Sequence, residues 1–273
     1  MAKKQFKCNV CGYIHEGASA PDTCPVCGVA ASEFTEQKAA RKGFDTNSNA
    51  YIVIYSTVMV VIVATLLALA ALGLQKRQAE NELNEKKQSI LLSLYAGDAV
   101  KQGVPAEELI KSVKYDEVID AYVVDIEGEN VFALLNDLPG AYEAGKFPLF
   151  EAKDGRVVIP VTGMGLWGPV WGYVALEKDM NTMAGIIMAH KGETPGLGAE
   201  IATSKFQSHF IGKQIFEGDE FVSVKLRKGG AKDPNHEVDA ISGGTKTSDG
   251  VTAMLENSLR NYLPLLEAKR AAG

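Results

Sequence analysis

Between Tyr51 and Leu74 the chain runs for 24 mostly apolar residues without one charge (YIVIYSTVMVVIVATLLALAALGL). As a helix this run is about 36 Å long, more than the roughly 30 Å of a bilayer's hydrocarbon core. A buried core helix and a signal peptide are the alternatives. A core helix rarely lacks charge for so long, and a signal peptide starts near residue 1 with a shorter apolar run and a small-residue cleavage site. The run therefore predicts a single membrane-spanning anchor in contact with lipid. Lys38, Arg41 and Lys42 precede it, and Lys76, Arg77, Lys86 and Lys87 follow it. Orientation by the positive-inside bias needs a difference between the two flanks, and charge supplies none here.

The 273 residues can hold one full-sized domain and one or two small ones. A net charge of −6 leaves no basic face to neutralise phosphates, so nucleic acid is not an expected partner. Residues 37–50 are polar and read as a linker. After the anchor, residues 75–97 keep helix-forming composition and turn apolar at Ile90, Leu91, Leu92 and Leu94, which predicts a stalk helix with a break at Gly97-Asp-Ala. From residue 98 to 273 the pattern is α+β. A short helix follows Pro105, with acids in its first turn. Strands are predicted at Val118–Ile126, Val157–Val161, Val170–Leu176, Met183–Met188 and Phe221–Leu226, and a helix over Val251–Leu266.

All four cysteines lie in the first 27 residues, as Cys8-Asn-Val-Cys11-Gly and Cys24-Pro-Val-Cys27-Gly. A C-x-x-C turn aims two thiolates at one metal, and the following glycine tolerates a positive φ. Two such turns build a tetrahedral four-sulfur site. The segment from Phe6 to Phe34 resembles the rubredoxin-like module of rubrerythrins, sharing C-x-x-C-G-Y-I-H-E-G, A-P, C-P-V-C-G and a terminal S-E-F. The resemblance implies one redox-active iron on Cys8, Cys11, Cys24 and Cys27 within residues 1–36, with Phe6, Tyr13 and Phe34 packed beside it. A structural zinc is the alternative, because both metals accept four thiolates. His15 is expected at the surface or in packing, since four thiolates already close the site. A module of about 35 residues buries too little to fold without its metal.

The nine residues Asp239-Ala-Ile-Ser-Gly-Gly-Thr-Lys-Thr247 resemble the flavinylation motif D-x-x-S-G-A-T-x-T of the flavin subunits of sodium-pumping NADH:quinone reductase and of the related Rnf complex. Gly244 stands where that family usually has alanine. Gly192-Glu-Thr-Pro-Gly-Leu-Gly198 resembles the family's E-T-P-G-L-G loop, and Gly165-Leu-Trp-Gly-Pro-Val-Trp-Gly-Tyr173 its G-L-W-G segment. The last two favour the C-subunit family over the Rnf G-subunit family. The resemblance implies FMN bound to Thr247 through a phosphoester made by a flavin transferase. That chemistry calls for an exposed Thr247 hydroxyl. Thr247 is expected at a helix start, where free N–H groups suit phosphate oxygens.

Ser242, Gly243, Gly244 and Thr245 complete the motif, and Glu193, Thr194 and Leu197 are expected to line the ring. Trp167 and Trp171 are expected in the core, with a place beside the ring as the alternative. His190 reads as a plain loop histidine, with contact to flavin as the alternative. Asp239 is expected to serve transferase recognition or loop structure. No P-loop, GxGxxG, HExxH or Ser/Cys–His nucleophile pattern occurs, so no NADH site and no separate catalytic residue is expected.

The chain thus reads as a single-pass subunit of a bacterial inner-membrane, Na+-translocating NADH:quinone reductase, working beside that complex's other subunits. By the resemblance the FMN domain is periplasmic and the metal module cytoplasmic. The family's usual subunits lack such a module. One role for it is a point where electrons enter or leave on the cytoplasmic side, although a 36 Å helix is too long for direct transfer from iron to FMN. The competing reading is a membrane scaffold assembled through a zinc ribbon.

Overall fold

The computed structural model describes residues 4–37, 46 and 48–272. Two compact units divide the chain, Met1–Gln75 and Lys76–Gly273. In the first, strands β1 (Lys4–Cys8), β2 (Ile14–Gly17) and β3 (Phe34–Gln37) pair antiparallel in the order β2-β1-β3. Phe6 is buried against this sheet, while Tyr13 and Phe34 are half-buried. Most of the linker expected over 37–50, including Lys38, Arg41 and Lys42, lies outside the described residues.

Helix α1 (Asn49–Gln102) carries the apolar run. That run is long and apolar enough to cross a membrane, and none of its most apolar window is buried. Burial in α1 begins only at Ile90, and continues at Leu91, Ser93, Leu94, Gly97 and Ala99. This is the spacing of one helix face. The break expected at Gly97-Asp-Ala does not occur. Gly97 is a close-contact residue: a Cβ there would stand 2.7 Å from the Ala184 carbonyl oxygen. The helix stops instead at Gly103, whose φ is +68°, with the Val104 N–H donating to the Ala99 carbonyl at 3.1 Å. This 6→1 bond across a left-handed glycine is the Schellman termination.

Short helices α2 (Ala106–Ile110) and α3 (Tyr115–Val118) lead into strand β4 (Ile119–Val123). Helices α4 (Val131–Leu134) and α5 (Leu138–Glu143) follow it. Strands β5 (Pro148–Ala152), β6 (Val157–Met164), β7 (Pro169–Leu176) and β8 (Met183–His190) then complete an antiparallel sheet in the order β4-β5-β6-β7-β8. Beyond it lie α6 (Ser204–Gln207), the short strands β9 (Phe216–Glu217), β10 (Glu220–Phe221), β11 (Lys225–Arg227) and β12 (Glu237–Asp239), and helices α7 (Thr245–Arg260) and α8 (Leu263–Ala272).

Side chains alternate across the sheet. Leu149, Val157, Ile159, Val174 and Leu176 enter one core with Val251, Met254, Leu255 and Leu259 of α7. Phe150, Val158, Tyr173 and Ala175 enter the other, with Ile90, Leu91 and Leu94 of α1. Both faces are therefore covered, which explains why these strands read as continuous apolar runs and not as alternating ones.

Three elements differ from the sequence pattern. Strand β5 has no clear strand signal of its own, because it is short and opens with Pro148. The strand expected over Phe221–Leu226 is split between β10 and β11 by Ser223, whose φ of +57° cannot continue a ladder. The helix expected over Val251–Leu266 starts earlier, at Thr245, and breaks after Arg260. Pro264 would clash with the carbonyl of Arg260 in one continuous helix, and Tyr262 turns inward to donate to the Pro148 carbonyl at 2.7 Å.

A buried guanidinium fastens α1 to the sheet. Arg156, 7% exposed, donates to the Leu94 carbonyl at 2.8 Å, to Asp98 at 2.9 Å and to Asp154 at 2.9 Å. Replacing it takes a charged donor from two half-exposed carboxylates and from the Leu94 carbonyl. Arg156→Met is expected to cost about 2 kcal/mol and to lower the melting temperature by roughly 4–8 °C for a unit of this size. Thermal unfolding of purified wild type and variant in detergent checks this.

Candidate functional site

The cysteine knuckles are built alike. The Gly12 N–H donates to the Cys8 carbonyl at 3.0 Å with a Gly12 φ of +81°. The Gly28 N–H donates to the Cys24 carbonyl at 2.9 Å with a Gly28 φ of +73°. Each first cysteine also donates its own N–H five residues on, Cys8 to Tyr13 and Cys24 to Val29, both at 2.8 Å. The result gathers four Sγ atoms within 4.8 Å of one another, with Cys8–Cys27 at 3.7 Å and Cys11–Cys24 at 3.5 Å. A tetrahedral metal with sulfurs at about 2.3 Å needs sulfurs roughly 3.8 Å apart, so the donor set fits one. Cys8 and Cys24 are buried, whereas Cys11 and Cys27 are exposed. Burial pushes the Cys24 thiol up, but the N–H groups of Cys27 and Val26 and the neighbouring thiols outweigh it and bring it to about 6. Cys27 is pushed up to about 12, by burial first and then by the other sulfurs. His15 stands apart from this quartet.

The second cluster lies at one end of the large sheet. Strand β12 ends at Asp239, and the chain turns through Gly243, with φ +73°, into α7. The N-cap of α7 is Gly244, and no side chain caps that end. Ser248 ties the turn back, accepting from the Ile241 N–H at 3.1 Å. Asp239 is exposed and accepts from the Ala231 N–H at 2.6 Å, so its visible work is loop structure. Ser242 is exposed and Thr245 half-buried.

Thr247 lies in the first turn of α7, and its hydroxyl is not exposed as expected: the residue is 1% accessible. The Gly192–Gly198 loop covers it. Glu193, itself only 4% exposed, accepts from the Thr247 hydroxyl at 2.5 Å through Oε2 and from the Trp167 N–H at 2.8 Å through Oε1. A Cβ at Gly198 would fall on both Glu193 Oε2 and Thr247 Oγ1. A Cβ at Gly243 would stand 2.6 Å from Leu197. Thr194 is exposed, and its carbonyl accepts from Leu197 and Ala199, which fixes the turn. His190 ends β8, and its Nδ1 accepts from the Glu193 N–H at 3.2 Å, so it is a strand-end residue that holds the loop. Burial opposes charge on Glu193, but the Thr247 hydroxyl, the Trp167 and Leu166 N–H groups and His190 hold its carboxyl below the usual carboxylate range. With its pKa depressed, the link to Thr247 is complete at neutral pH and weakens only as pH falls through that lowered value.

Neither tryptophan is in the core. Trp167 sits in the β6–β7 turn and is 68% exposed; Trp171 is 41% exposed. Its neighbour Val170 takes the core-facing position, so alternation along β7 turns Trp171 outward. Met164, Leu166 and Leu197 are exposed too, leaving an apolar rim around the covered threonine. Two contacts had no distinct sequence signal: Gly250, where a Cβ would meet the Met164 carbonyl, and Gly165, where it would meet Glu193.

Comparison with known proteins gives a consistent picture. The FMN-binding domain family matches residues 165–260, and the rubrerythrin, rubredoxin-like domain family matches residues 6–35. The C subunit of the Na(+)-translocating NADH-quinone reductase of Neisseria meningitidis serogroup B is 32% identical over 259 residues, covering 85% of this chain and 98% of its own. The corresponding protein of Pseudomonas aeruginosa is 31% identical, covering 72% of this chain and 86% of its own. A crystal structure of the same subunit from Parabacteroides distasonis superposes with a TM-score of 0.61 at 40% identity, over 71% of this chain and 96% of that one.

Because thiolates and not thiols bind metal, acid should strip the four-cysteine site. Cys24→Ser is expected to abolish metal binding at neutral pH, as metal analysis of the purified protein would report. In wild type, metal content should be lost as pH falls.

Proposed function

The chain belongs to the C-subunit family of the Na(+)-translocating NADH-quinone reductase, and from that premise we propose that it is a membrane-anchored electron relay carrying FMN as a phosphoester on Thr247. One observation carries this reading: Thr247 stands in the first turn of α7, behind an N-cap glycine and beneath the Gly192–Gly198 loop, inside the segment that matches the FMN-binding domain family. FMN, when bound, supplies one- and two-electron redox chemistry. The protein's part is to hold and orient it. The uncapped N–H groups of α7 suit phosphate oxygens. Ser242, Gly243, Gly244 and Thr245 let the backbone come close, and the exposed Leu197 and Thr194 offer one apolar and one polar contact to a ring lying over the loop.

On this reading residues 98–273 form the flavin domain, 75–97 the start of the stalk that α1 extends to Gln102, and 51–74 the membrane anchor in a bacterial inner membrane. The flavin domain lies on the outer side, residues 1–36 lie on the cytoplasmic side, and 37–50 link them to the anchor. The other subunits of an NADH-quinone reductase complex and a flavin transferase are its partners. NADH binds elsewhere in such a complex.

For the four-cysteine module we assign iron. Its support is the pair of exposed ligands Cys11 and Cys27, flanked by Val10 and Val26, which are 61% and 66% exposed. This leaves the sulfurs at an apolar surface suited to electron exchange.

The test is in-gel flavin fluorescence of the denatured chain after co-expression with a flavin transferase. Wild type should give a fluorescent band and Thr247→Val none. A dark wild type, with the transferase active on a control, removes the flavin reading. The visible spectrum tests the metal: ferric thiolate absorption is expected, and zinc with no colour would make the module structural.

A further inference from the structure

The hydroxyl that this reading esterifies is out of reach in the folded chain. Thr247 is 1% exposed, its proton is engaged by Glu193, and the space beside its oxygen is taken by Gly198 so closely that even one extra carbon would not fit. Forming the ester means that Oγ1 bonds to the phosphorus of a phosphoanhydride of FMN, the anhydride P–O bond breaks, and the hydroxyl proton leaves with the departing phosphate. A tetrahedral phosphate has no room there, and its negative charge would sit against the Glu193 carboxylate.

The cover is small and separable. Thr194, Pro195, Gly196 and Leu197 are all exposed, and Gly196 has a φ of +74°. What closes the loop over α7 is the Glu193 carboxylate, bridging the Thr247 hydroxyl and the Trp167 N–H, together with Leu197 lying on Gly243.

We infer that Glu193 is a positioning residue that latches the Gly192–Gly198 loop over the acceptor hydroxyl, so that the flavin is attached only to chains in which this latch has opened, and that the attached phosphate then keeps Glu193 from returning to Thr247. The inference rests on the assignment of Thr247 as the flavin site. It adds a step before attachment and a changed loop after it. The Trp167 N–H, which Glu193 accepts from in the unloaded chain, loses that partner when the phosphate displaces the carboxylate.

The test uses the full chain in detergent and three readouts. The first is thiol labelling of Thr247→Cys, with the labelled peptide identified by mass so that the four knuckle cysteines do not interfere. Adding Glu193→Ala should speed labelling at position 247 at least about tenfold, the weight of the lost bond from the Trp167 N–H to the charged carboxylate. Equal rates overturn the latch. The second is the initial rate of flavin attachment to otherwise wild-type chains by the transferase, which should rise in Glu193→Ala. An unchanged or slower rate overturns the claim that the latch limits attachment. The third is hydrogen exchange at Trp167, which should lose protection in flavinylated protein; retained protection overturns the displacement of Glu193. If wild type takes no covalent flavin at all, the flavin assignment fails, and the labelling readout still decides whether Glu193 closes the loop.

Discussion

The antiparallel sheet has to be covered on both faces, and the rest of the Lys76–Gly273 unit follows from that. Its strands carry apolar residues at nearly every position, so most of each face has to be shielded from water. Helix α7 covers one face, and the last turns of α1 cover the other. The small residues mark where coverage is tightest: a Cβ at Gly97 would press on the Ala184 carbonyl, and one at Gly185 on the Ser93 carbonyl. Helix α1 changes character along its length. Its first half presents apolar side chains all round, while its last turns confine them to one face.

Placing α7 across the sheet brings its first turn to the strand ends where the β6–β7 turn and the loop after β8 arise. Three segments distant in sequence meet there around one buried carboxylate. Burying Glu193 as a charge is costly unless donors surround it. The Thr247 hydroxyl and the Trp167 N–H supply them. The same arrangement covers the Thr247 hydroxyl and leaves Trp167, Met164, Leu166 and Leu197 at the surface around it. An apolar rim over a polar, covered centre suits a flat, partly apolar cofactor.

In the N-terminal unit the ordering principle is different. Few of its side chains are buried among the described residues, and two matching turns aim four sulfurs at one point. There the geometry of the ligands stands in for a hydrophobic core, as expected for so short a segment.

The residue order alone determined whatever depends on local spacing. The uncharged run from Tyr51 to Leu74, the paired C-x-x-C-G turns, and the apolar strands β6, β7 and β8 are legible because each signal fits within one element. The order of residues also marked the segments around Asp239–Thr247 and Gly192–Gly198 as the place to look. It did not show that Gly97 is a contact glycine rather than a helix breaker. It did not show that Ser223 splits a strand, that both tryptophans face outward, or that the Thr247 hydroxyl is covered. The contact at Gly97 and the cover on Thr247 depend on neighbours far along the chain. Glu193 and Thr247 are 54 residues apart, and Gly97 meets Ala184 only because α1 lies on the sheet. Hydrogen bonding and burial are pairwise properties of folded space, so only the tertiary structure could decide which hydroxyl is paired and which side chain is left in the open.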